Sequence, residues 1–219
     1  MGKPLAGPDA ALPFSFTRFS MRLVPRRLTT PAVRILELED VKLHLRIEPD
    51  RTEEDSLLQA LILAAESHLD GYSGILGRCM ISQQWRVDHD DWEGRVFRLP
   101  FPDVSEVAVV YSDADNVEQM VDPTFYERLE TPCGTVLRWT DAFPAPSLYD
   151  RGDAVRVTMT AGYGPAASDV PDGIIHAAKL LIGGWYENRE ESVIGAAVSQ
   201  LPFSLAVKSL LMPFRRVGL

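Results

Sequence analysis

The residues of this chain best equipped for chemistry are Asp88, His89, Asp90 and Asp91, three carboxylates and an imidazole in one run. Two carboxylates and a histidine are enough to hold a divalent ion or to share acid–base work. Consecutive residues in a strand entering a turn, however, send their side chains to different sides, so ligands at this spacing diverge. The run is expected to be a solvated hairpin tip. His44, His68 and His176 each stand alone in helical sequence, and His44 and His68 are expected to be partly buried structural residues. Gly162-Tyr163-Gly164 follows a strand-like segment as half a phosphate loop would, but Pro165 comes next and no Lys, Ser or Thr is placed as a P-loop requires. No serine or cysteine sits in a nucleophile-elbow sequence. A small metal-dependent hydrolase using Asp88, His89 and Asp90 is therefore the weaker alternative; no catalytic residue, metal or cofactor is expected.

The other candidates are surfaces. Residues 1–35 carry Lys3, Arg18, Arg22, Arg26, Arg27 and Arg34 against Asp9 alone, a net of +5 within an overall −9, which leaves −14 on the body. An acidic body disfavours nucleic-acid binding, whose affinity comes mainly from neutralising phosphates. It would suit a wall past which DNA slides, but composition alone gives no reason to expect DNA there. The basic arm itself has three candidate targets: DNA, an acidic partner surface, or a neighbouring copy of the chain. At the other end, Pro213 stops a helix and is followed by Phe214, Arg215, Arg216 and Leu219. Apolar residues mixed with arginine are the usual interface anchors. Asn188, Arg189 and Glu190 close a long helix; the preceding Trp185 and Tyr186 are expected in the core. The Arg189 guanidinium suits a carboxylate across an interface.

These residues need a scaffold. At 219 residues, 46% hydrophobic and 24% charged, the chain has the composition of an ordinary globular protein of one domain or two small ones. Its longest apolar runs fall short of the ~20 residues that span a bilayer. Prolines interrupt the N-terminal apolar residues, so no signal-peptide core forms and a cytosolic product is expected. Cys79 and Cys133 are too few for a disulfide framework and are expected to be buried thiols.

Residues 1–34, with Pro4, Pro8, Pro13, Pro25 and Pro31, are read as an extended, partly mobile arm; Met21 is an alternative start. Residues 35–78 are helical. Leu38, Val41 and Leu45 face one way with Glu39, Asp40, Lys42 and Arg46 opposite. A second helix starts with Thr52 as N-cap and acids in its first turn, and carries Leu57, Leu58, Leu61, Ile62, Ala65, Leu69 and Tyr72 as its apolar stripe. Residues 79–165 switch to a period of two. Strands are expected at Gln84–Asp88, Arg95–Leu99, Val104–Tyr111, Phe125–Leu129, Thr135–Trp139 and Ala154–Thr160, with Asp90–Gly94 a hairpin between the first two. Helical spacing returns in residues 166–212, over Gly173–Arg189 and Phe203–Leu211, and residues 213–219 form a tail. The fold class is α+β: a small helical bundle from the N- and C-terminal helices with an inserted antiparallel β-sandwich or open barrel.

In that order, Val41 to Ile47, Leu57 to Tyr72, Val170-Pro171-Asp172 and Trp185 to Glu190 resemble the head–tail connector (adaptor) family of tailed phages. Gln84-Trp85, Leu99-Pro100, Val109-Val110-Tyr111 and Thr160 to Gly164 are similar to its branch with a β insert. Leu201-Pro202-Phe203 and Leu210 to Arg216 are similar to the versions in gene transfer agents. The long segment before Leu36 departs from the family pattern. The resemblance implies a structural ring subunit, commonly one of a dodecamer, seated beneath the portal protein. It would extend the DNA channel without binding DNA specifically and receive the next neck, stopper or tail protein. It would be made in the cytoplasm of the producing bacterium and end in the particle neck, with no membrane involved. It further implies that Pro213, Phe214, Arg215, Arg216 and Leu219 dock on the portal, and that Asn188, Arg189 and Glu190 meet a neighbouring subunit. Another neck or tail-completion protein is the alternative within the same assembly.

Overall fold

The computed structural model describes residues 24–92, 94–131, 133–188 and 205–216. It begins with a two-residue strand, β1 (Arg26–Arg27), followed by helices α1 (Leu38–Leu45) and α2 (Asp55–Leu69). Seven further strands follow: β2 (Gln83–His89), β3 (Val96–Arg98), β4 (Val104–Ser112), β5 (Glu118–Met120), β6 (Tyr126–Thr131), β7 (Gly134–Trp139) and β8 (Val155–Ala161). Helices α3 (Asp172–Glu187) and α4 (Leu205–Leu211) complete the order. The fold is α+β with antiparallel sheets.

The apolar period explains the helices. Leu58, Ile62, Ala65 and Leu69 form the buried stripe of α2; Ile174, Ala178 and Ile182 form that of α3; Val207 and Leu211 bring α4 into the same cluster. Each fully buried Leu or Ile contributes about 1.5–3 kcal/mol by leaving water. Three details differ from the pattern. Tyr72 lies beyond the end of α2 and is 49% exposed. The N-cap of α2 is Glu54, not Thr52, and no side chain caps it. Lys42, placed by periodicity on the polar face, is buried: its Nζ donates to the Pro49 and Arg51 carbonyls at 3.2 and 2.8 Å and pairs with Asp55 at 2.6 Å. The long stem lets the ammonium reach the carbonyls of the α1–α2 connection, so the lysine organises that turn from within.

The strands form two sheets, one ordered β1-β2-β8-β4-β5 and one ordered β3-β7-β6. The expected hairpin between Gln84–Asp88 and Arg95–Leu99 is absent: β2 pairs with β1 and β8, while β3 pairs with β7 in the other sheet. Asp90–Gly94 instead crosses between sheets. Two strands carry too little alternation to be read from sequence, β1 and β5. The inward residues of both sheets share one apolar cluster, with Trp85, Val87, Val109 and Val157 from the larger and Phe97, Leu137 and Trp139 from the smaller. Trp139 stacks on Phe143 at 4.2 Å, and Trp92 meets both edge-on. Among the described residues no helix is long and apolar enough to cross a membrane.

Candidate interaction surfaces

The chain end is built from α4. Its Val207 and Leu211 are buried, which turns Leu205, Lys208 and Ser209 outward. Pro213 does not release the chain at once, because Met212–Phe214 continue as a 3₁₀ turn. Phe214 lies half-buried over Gly173, where a side chain's Cβ would come 2.8 Å from the ring. Arg215 and Pro213 are exposed. Arg216 turns back: its backbone N–H donates to the Leu76 carbonyl at 2.9 Å. Its guanidinium donates to the carbonyls of Cys133 (3.3 Å), Leu99 (3.2 Å) and Pro100. Gly134 takes the turn beneath that fork at φ +114°, a backbone conformation that glycine adopts without strain. Of the tail residues singled out by sequence, then, Phe214 and Arg216 contact their own subunit, Pro213 and Arg215 face outward, and Leu219 lies outside the described residues.

At the end of α3, Asn188 is exposed and its Nδ2 donates to the Gly184 carbonyl at 2.9 Å, a local cap. Arg189 and Glu190 lie outside the described residues. Trp185 and Tyr186 are partly buried against the helical cluster, and the Tyr186 hydroxyl hydrogen-bonds Glu54.

The Asp88–Asp91 run is no solvated tip. Asp88 and His89 are 7% and 1% exposed, because β2 continues through both. They point to opposite faces. His89 stacks on Phe97 at 4.6 Å inside the core, while Asp88 accepts from Arg86 at 2.5 Å and Arg26 at 3.3 Å on the outer face. Asp91 accepts the Trp92 N–H at 2.7 Å. The side chains serve three separate environments and do not converge on one ion. Gly162-Tyr163-Gly164 is a turn against the start of β2: the Gly164 carbonyl accepts from Ser82 N–H at 2.8 Å, and the Tyr163 ring carries Arg78 at 5.3 Å.

The basic arm is less available than its composition implied. Arg26 pairs with Asp88, Arg27 with Asp70 (2.8 Å), and Arg34 with Glu66 (2.7 Å). Leu28 N–H donates to Gln84 O, and Gln84 N–H to Thr29 Oγ1, both at 2.8 Å. Between Arg26 and Arg34, therefore, the arm is held along β2 and α2; residues 1–23 lie outside the described ones.

Asp70 is the junction that sequence reasoning missed. It is 9% exposed and accepts from the Met80 N–H (2.8 Å), the Gln83 amide (3.0 and 3.1 Å) and Arg27. Arg27 also lies 5.0 Å over the Trp85 ring. The end of α2, the start of β2 and the arm thus meet at one carboxylate. Burial and the neighbouring Asp70 charge push the Cys79 thiol well above its usual range, so this cysteine is inert. Cys133 is only half-buried, and both thiols are free. Beside the junction, Thr30–Ile35, Leu63, Glu66 and Tyr72 line an open cleft of 710 Å³.

Residues 35–91 match the family model described as phage gp6-like head-tail connector protein. Solved structures match over 90% of the chain. One is the neck of an empty gene transfer agent particle, at TM-score 0.71 and 24% identity, covering 90% of this chain and 97% of the other. Another is the virion of a native gene transfer agent particle, at TM-score 0.71 and 25% identity with the same coverage. No curated protein sequence matches.

Proposed function

We propose that this chain, a head–tail connector of the gp6-like family, is the structural adaptor subunit of a gene-transfer-agent-type neck. The observation that carries this is the fold likeness to a neck component along 90% of the chain, joined to the family match in its first helical part. The role is structural rather than enzymatic. We read the two sheets with their shared core as the β-sandwich inserted into the helical bundle. We further read the subunit as part of a ring beneath the portal, commonly a dodecamer in this family, through which DNA passes without specific contact.

The tail supports a portal contact of a narrower kind than its sequence implied. Phe214 and Arg216 hold the segment to its own subunit, which leaves Pro213, Arg215 and the following residues to Leu219 to meet the partner. Asn188, with Arg189 and Glu190, remains the proposed subunit–subunit strip. Deleting the gene should give filled heads that never acquire tails, seen by negative-stain electron microscopy and restored by complementation. Tailed particles from the deletion strain would overturn the proposal.

A further inference from the structure

We propose that the exposed face of α1 seats the exposed face of α4 from a second copy of the chain; this rests on the neck-adaptor reading above. Three apolar side chains stand out on the helices. Leu43 on α1 is 78% exposed, and Met212, in the turn that continues α4, is 75% exposed, with Leu205 at 82% two helical turns before it. Covering them removes apolar surface from water, which is favourable.

Their charged neighbours differ in sign. Glu39 and Asp40 precede Leu43 by four and three residues, on the same side of α1, and Glu37, Glu48 and Asp50 are exposed nearby, outnumbering the cations Arg46, Arg51 and the Asp40-paired Lys179. Lys208 precedes Met212 by four residues, and residues 201–219 contain Lys208, Arg215 and Arg216 with no acid at all. Each patch is therefore an apolar anchor with a charge one turn earlier, acidic on α1 and basic on α4. Like patches repel, so a two-fold pairing of α1 with α1 or α4 with α4 is disfavoured, whereas α1 with α4 is complementary.

The two faces occupy separate places on the subunit. Helix α1 meets α3 through Lys179, which pairs with Asp40 at 3.7 Å, and through Gly183, against which Leu45 packs. The α4 extension meets α3 at its opposite end, through Phe214 on Gly173. A contact joining two different patches of one chain is head-to-tail, and such a contact closes into a ring when its rotation allows. The fold thus supplies a donor and an acceptor face for a circular assembly.

Paired cysteines test this in the full-length chain, with Cys133→Ser to remove the half-buried thiol. Leu43→Cys and Met212→Cys in one chain should give, on oxidation of purified particles, a ladder of cross-linked dimers, trimers and larger species. Either substitution alone should give none, and the two single variants mixed should give dimers only. Glu39→Lys or Lys208→Glu added singly should cut the ladder severalfold, and the two together should restore it. Cross-linking of Leu43→Cys alone, or no 43–212 product in particles that contain the chain by immunoblot, overturns this interface and leaves the adaptor role standing. Absence of the chain from particles overturns the adaptor role, and the interface with it.

Discussion

Arg216 donates its backbone N–H to the Leu76 carbonyl at 2.9 Å, so the end of the chain is fastened to the loop that leaves α2. The same residue's guanidinium reaches the Leu99, Pro100 and Cys133 carbonyls in the β-rich part. One residue thereby ties the loop after α2, through its backbone, to one end of the smaller sheet, through its side chain.

Arg216→Ala should destabilise the subunit by about 1–3 kcal/mol, the range for losing charge-assisted hydrogen bonds to buried carbonyls. Urea unfolding measures this. Deleting Val217 to Leu219 should leave stability unchanged while weakening portal capture in a pull-down. A Pro213–Leu219 deletion combines both effects and separates neither. Unchanged portal capture by the short truncation would remove Val217 to Leu219 from the interface and leave the contact to Pro213 and Arg215.

Asp70→Ala should be the costliest single change at the junction. It strands the Arg27 guanidinium and leaves the Met80 N–H and the Gln83 amide without an acceptor, at about 3–5 kcal/mol. Arg27→Ala should cost less, and a double-mutant cycle should return coupling between them. Strict additivity would show that the arm is not held through this carboxylate.

Lys42→Ala removes the partner of Asp55 and the donor to two carbonyls, so a loss of about 3 kcal/mol is expected. Lys42→Met, which keeps the stem, should recover part of that loss. Equal losses for the two would place the effect in the charge alone.

Burial, with the neighbouring His176 and Lys179 cations, holds the His44 pKa below its ordinary 6.5. The folded state therefore resists a proton that the unfolded chain accepts. Stability should fall as pH drops through 6.5 and level off once the folded pKa is passed. Urea midpoints between pH 7.5 and 5.5 should show this slope, and His44→Gln should flatten it.

Much of this fold was legible because long elements obey one period. Leu58, Ile62, Ala65 and Leu69 mark α2, and Trp85 with Val87, or Val155 with Val157 and Met159, mark central strands. Pairing was not legible. Asp90–Gly94 has hairpin composition, yet β2 is a central strand whose partners lie before it and some seventy positions after it. Nor does a local pattern announce that a lysine's stem will be buried, as at Lys42, or that Asp70 gathers donors from three directions. The tail was half legible. Its composition marks it as sticky, but that Arg216 meets its own Leu99 and Cys133 depends on a β hairpin arriving beneath it, which is a property of the tertiary fold. The surface of α1 was readable in hindsight from Leu43 alone among charges, a single exposed apolar residue that periodicity assigns to no core.

Electron cryo-microscopy of intact particles should show density for this fold at the neck, between the portal vertex and the tail, with the α1 face of one copy on the α4 face of the next. A complete neck built without this chain would contradict the adaptor role.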